Sequence, residues 1–222
     1  MAIAFGSKNM LTFISALSPM FISFYFVINS FFQGSPRGII WLIGSCLATI
    51  AGLLVKSGFK KTKIALRPFI RDKRLPEPAT LDMPTHDFCE VFEPPFESLK
   101  GVMWPSSHAV FHAYTLTYLG LGIGMNPNKP GIPFIIFISI LSFFDLAFRM
   151  TSKCDNAGAI TIGILVGAVV GLAWFYLVLY GGNALFGGDG IKLIYYGKDD
   201  LNSPEKCQLG KKSFKCKYKK IK

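Results

Sequence analysis

Seven side chains in this sequence suit the handling of a phosphate group, and they fall in three short clusters. Lys60 stands seven residues before Arg67-Pro68; Pro105-Ser106-Ser107-His108 opens an apolar run; Arg149 closes another and is followed six residues later by Asp155. Arginine offers a planar fork of donors to a phosphate and lysine a mobile point charge. Free backbone N–H groups at a helix start, here after Pro105, point at a bound anion and the helix dipole adds to them. A histidine at that start can protonate a departing alkoxide. Taken together, these residues make a phosphate pocket with an acid beside it.

Each cluster also has a plainer explanation. Basic residues at a membrane edge anchor to headgroups, Pro-Ser-Ser is an ordinary helix start, and Arg149 can snorkel or pair with Asp145 at i,i+4. His112 follows His108 by four residues, so the two could form a helical metal pair with Asp155 or Asp145 as third ligand. The plainer account makes His112 a polar residue one turn inside a bundle, hydrogen-bonded to a neighbour. The third histidine, His86, lies in an acidic loop.

The elements that must position these clusters are membrane helices. The chain has 222 residues, 51% of them hydrophobic, with a mean hydropathy of +0.41. Its apolar residues are collected in blocks instead of being spread at amphipathic spacing. Five blocks of bilayer length follow: about 11–32 (interrupted by Pro19), 38–55, the run from Pro105 to Met125, 132–150 and 157–180. The first has no small-residue cleavage site behind it and reads as a retained span. Gly163, Gly167 and Gly171 are spaced by four in the last block, for close helix packing. The expected class is therefore an all-α polytopic transmembrane bundle of about five spans over residues 1–187, followed by a Lys-rich tail, 188–222. Five crossings put the ends of spans two and four, and the starts of spans three and five, on one face with the N-terminus.

A long loop, 56–104, joins spans two and three on that face. Lys56–Arg74 carries eight basic residues, and Pro76–Pro95 is rich in proline and acid. The net charge of +11 implies contact with lipid headgroups, phosphate substrates, or both. Cys46, Cys89, Cys154, Cys207 and Cys216 lack CxxC spacing and are odd in number, which indicates neither a structural zinc site nor a disulfide framework. Cys207 and Cys216 could pair in an oxidising compartment.

In order, the clusters resemble the signature of the type 2 phosphatidic acid phosphatase superfamily, membrane lipid phosphatases that share a core with vanadium haloperoxidases. The first motif matches through Lys60, Arg67 and Pro68, and the second through Pro105, Ser106, Ser107 and His108. Arg149 matches the third, with Gly163 and Gly167 where the following helix carries its glycines. The resemblance covers about residues 38–175. It implies that Lys60, Arg67, Ser106, Ser107 and Arg149 hold the phosphate of a lipid phosphate or diphosphate and that His108 is the acid. It also implies membrane lipids as surroundings, no metal or organic cofactor, and no nucleic acid partner.

The third motif departs from the pattern. Asp155 stands where the family has its nucleophilic histidine, Ala159 where it has the orienting aspartate, and Phe148 where a serine is usual. Three expectations follow. Asp155 attacks and forms an acyl phosphate; Cys154 attacks after a one-residue shift of the loop; or the protein is catalytically silent and keeps a phosphate pocket. The ending Lys219-Lys-Ile-Lys222 resembles the dilysine signal of endoplasmic reticulum membrane proteins, which requires a cytosolic tail and places the pocket on the lumenal side.

Overall fold

The computed structural model describes residues 7–60, 89, 102–126, 131–186, 190–196, 207–210 and 213–216. Five helices account for most of them: α1 (Ser7–Phe32), α2 (Arg37–Phe59), α3 (Ser107–Met125), α4 (Ile132–Thr151) and α5 (Ala157–Phe186). Four contain segments long and apolar enough to cross a membrane: Phe13–Phe32, Arg37–Phe59, Ile132–Thr151 and Ala157–Gly182. The expected all-α helix bundle is what these residues form, with four helices of membrane-spanning length and apolarity where about five spans were expected. A short antiparallel hairpin in the tail, β1 (Cys207–Gly210) and β2 (Ser213–Cys216), sets Cys207 opposite Cys216.

α3 is the exception among the helices because it is the one the others enclose. Its polar residues are inside: His108, His112 and Thr115 are buried, as are Tyr114 and Tyr118. The outward faces of the bundle are apolar instead, with Phe24, Leu54, Phe143, Phe144 and Val169 all more than half exposed. A polar interior inside an apolar skin is the arrangement lipid demands, since a polar group facing hydrocarbon has no partner.

The glycine stripe on α5 does what its spacing suggests. A Cβ at Gly163 would lie 2.7 Å from the Ser106 carbonyl oxygen, and one at Gly171 would lie 3.0 Å from that of Tyr114; one at Gly167 would strike the backbone of Val110. Small residues therefore let α5 lie directly on the α3 backbone. Hydrogen bonds fasten the other side: Tyr114 Oη donates to the Trp41 carbonyl at 2.8 Å, and Trp174 Nε1 to that of Ile40 at 3.1 Å. The segment 190–196, which the sequence places with the tail, packs against the bundle. It forms a 3-10 turn (Gly190–Leu193) with Leu193, Ile194 and Tyr195 buried, and Tyr195 Oη donates to the Phe26 carbonyl at 2.9 Å.

Candidate functional site

Two backbone devices bring the second and third clusters together. Ser106 is the N-cap of α3, its hydroxyl accepting from Ala109 N; its own N–H donates to the Ala159 carbonyl at 3.0 Å, tying α3 to the start of α5. The other device ends α4. Cys154 N donates to the Arg149 carbonyl at 2.9 Å and Lys153 N to that of Met150 at 3.2 Å, while Lys153 adopts φ 58°. This is the bond pattern of a Schellman motif, with lysine in the left-handed position that usually takes glycine. It turns the chain back so that Asp155 returns beneath Arg149. Asn156 then caps α5, accepting from Ala159 N at 2.7 Å.

The result is a closed cluster. Arg149 Nε donates to Asp155 Oδ2 at 2.6 Å and Ser106 Oγ donates to the same oxygen at 2.7 Å. All three residues are at most 4% exposed. Burial pushes the Asp155 carboxyl up, but the Arg149 guanidinium, the hydrogen bonds from Arg149 and Ser106, and nearby His108 outweigh it and hold the group below its ordinary value. Asp155 is therefore an anion at neutral pH. Arg149 pairs with Asp155 and not with Asp145, the i,i+4 partner its helix spacing suggested.

Asp145 has other company. His108 Nδ1 and His112 Nε2 each lie 2.7 Å from its Oδ2. From α1, Ser18 Oγ donates to Oδ2 at 3.1 Å and Ser15 Oγ donates to Oδ1. Ser142 Oγ lies 3.0 Å from His112 Nδ1. His112 is thus hydrogen-bonded one turn inside the bundle, as expected of a polar interior residue, and both rings converge on one carboxylate. The sequence offered Asp145 only as an arginine partner or third metal ligand, and its place at the centre of a network is new. An acid in the middle of an apolar helix was the available signal.

The remaining site residues divide. Ser107 is half-buried in the first turn of α3, and Lys60 is exposed just past the end of α2. Phe59 at that end packs on Trp104 with ring centroids 5.5 Å apart, so the end of α2 shares the face of Ser106 and Asp155. Arg67 and His86 lie outside the described residues.

Cys154 is disulfide-bonded to Cys89, 65 residues earlier. This corrects two expectations. The chain does use a disulfide, and Cys154 has no thiol with which to attack, because its sulfur is already bonded. Phe148 packs against the disulfide together with Ala16.

Comparison with family models, curated proteins and solved structures finds no match. The residues and their geometry therefore carry the functional reading alone.

Proposed function

We propose that this protein is a membrane-embedded relative, in fold and site, of the type 2 phosphatidic acid phosphatases, and that it is catalytically silent because its phosphate position is filled by its own Asp155. One observation carries this: Ser106 and Arg149, which the resemblance assigns to the phosphate, both donate to Asp155 Oδ2. A carboxylate in this place supplies the negative charge that a phosphoryl group would otherwise bring, and it neutralises the buried arginine. A lipid phosphate at this edge then meets Lys60, exposed at the end of α2, in place of the buried pair. A groove of about 500 Å3 between α1 and α4, lined by apolar side chains such as Ile14, Leu141, Phe144 and Phe148, suits the lipid's chain.

The second reading keeps an enzyme, with Asp155 attacking phosphorus and His108 protonating the leaving group. Its support is that Asp155 is held as the anion beside a guanidinium. Phosphate release by purified protein from phosphatidate, a sphingoid phosphate and an isoprenoid diphosphate separates the two. Silence requires no release above protein-free controls. Turnover at an enzymic rate, roughly one per second or faster, that vanishes in Asp155→Asn and His108→Ala would establish the enzyme and end the silent reading.

The disulfide supports an address. Cystines persist in the endoplasmic reticulum lumen and outside the cell and are rare in the cytosol, so the Asp155 face belongs on the lumenal side. If α3, enclosed by the others, crosses along with the four apolar helices, the lysine tail is then cytosolic, where both the dilysine ending and the positive-inside rule want it. Protease added to intact microsomes should remove the tail; a tail that survives until the membrane is opened would reverse the orientation.

A further inference from the structure

We propose that His108, His112 and Asp145 form a binding site for a divalent transition metal, and that zinc(II) suits the ligand set. The inference rests on these three side chains and their neighbours and stands whether or not the protein turns over lipid phosphates.

Residues four apart on α3 place both imidazoles on one face of the helix, and α4 brings Asp145 to meet them. Two nitrogens and a carboxylate oxygen from two packed helices converge within 4.8 Å of one another, all on residues at most 3% exposed. Two imidazoles with one carboxylate are the protein ligands of a common type of zinc site that leaves a fourth position for an oxygen ligand. Calcium and magnesium prefer oxygens throughout.

Neighbouring groups orient the ligands as metal sites require. Ser15 and Ser18 hold the carboxylate. Ser142 Oγ has one proton and two acceptors to choose from, the Ile138 carbonyl at 2.7 Å and His112 Nδ1 at 3.0 Å. The nearer is the carbonyl. With the proton there, the serine oxygen is placed to accept from an Nδ1–H, the tautomer that a metal at Nε2 requires. In that tautomer Nε2 offers its lone pair to a metal; without an ion, the 2.7 Å contact with Asp145 is that of a hydrogen bond. Ligand atoms of a tetrahedral zinc are roughly 3.3 Å apart, from metal–ligand bonds of about 2.0–2.1 Å. The rings must therefore swing outward by about half an ångström to admit the ion. Asp145 also lines the groove between α1 and α4.

The full-length protein, made without a histidine tag in zinc-supplemented medium and purified in detergent, should carry roughly one zinc per chain by mass spectrometry of the metal, with absorption-edge spectra showing nitrogen and oxygen at about 2.0–2.1 Å. Asp145→Asn and His112→Ala should lose the ion. Ser142→Ala, which keeps every ligand, should weaken it by about 10–100-fold in chelator competition. Wild-type protein with less than about a tenth of an ion per chain would overturn the proposal, the proton alone then bridging His112 and Asp145. So would zinc that persists in the Asp145→Asn, His112→Ala double variant, or a wild-type spectrum without imidazole nitrogen; either would mark an adventitious ion only. Metal content is read without substrate, so failure here leaves the silent-phosphatase proposal to its own assay.

Discussion

Asp155→Ala is expected to lose stability in phosphate-free buffer and to regain much of it when inorganic phosphate or vanadate is added. Removing one partner of a buried ion pair leaves the other charge uncompensated and costs about 3–5 kcal/mol. Here the stranded group is Arg149, 3% exposed, together with a Ser106 hydroxyl that has lost its acceptor. A tetrahedral oxyanion restores both contacts and neutralises the charge. Binding to the folded state alone stabilises it by about 2.7 kcal/mol at a hundred times the dissociation constant. Thermal unfolding in detergent, titrated with phosphate, reads the effect directly. The wild type should respond at least tenfold more weakly, since its own carboxylate fills the position. A destabilised variant indifferent to both anions would show that the Arg149–Asp155 pair has no memory of a phosphate, and the proposed origin of the site would fail.

The second large effect is asymmetric. Arg149→Met should be as damaging as Asp155→Ala, about 3–5 kcal/mol, because it strands a carboxylate in the interior with only Ser106 to hold it. Arg149→Met combined with Asp155→Leu should recover more than half of that loss, since an apolar pair of similar size replaces two charges that no longer need each other. Four unfolding measurements close this cycle; simple addition of the two single losses would mean that the groups do not act as a pair. The pH dependence has a definite sign. The folded carboxyl lies below its ordinary value, so the contribution of the pair is complete above the unfolded value of about 4 and is lost only as pH falls through the lower folded one. Arg149→Met should abolish that acid-side slope.

Much of this was legible because it depends on spacing along a single helix. The apolar blocks locate the five helices, and the glycines four apart on α5 announce the close approach to α3. The order of Lys60, Ser106 and Arg149 anticipates a shared face, and the structure brings Ser106, Arg149 and Asp155 into contact. What was hidden depends on pairs of distant residues or on backbone shape. Cys89 and Cys154 are 65 positions apart, and neither their spacing nor the cysteine count singles them out as partners. The turn that delivers Asp155 to Arg149 needs a left-handed residue, and Lys153 carries no glycine signal for it. Asp145 looks like an i,i+4 partner for Arg149; only the assembled bundle shows that α3 and α1 claim it first. Segment 190–196 is short and weakly patterned, so its docking beneath Phe26 could not be read from periodicity.

The Cys89–Cys154 bond also changes the chain's mechanics. It closes residues 89–154 into a covalent ring containing all of α3 and α4, so a force applied between the two ends of the protein passes through the cystine and bypasses both helices. About 230 Å of extensible chain, 65 residues at roughly 3.5 Å each, is withheld from any pull, whether by an optical trap or by the machinery that extracts membrane proteins for degradation. α1, α2 and α5 can be drawn out as single strands; α3 and α4 must leave as a loop until the cystine is reduced.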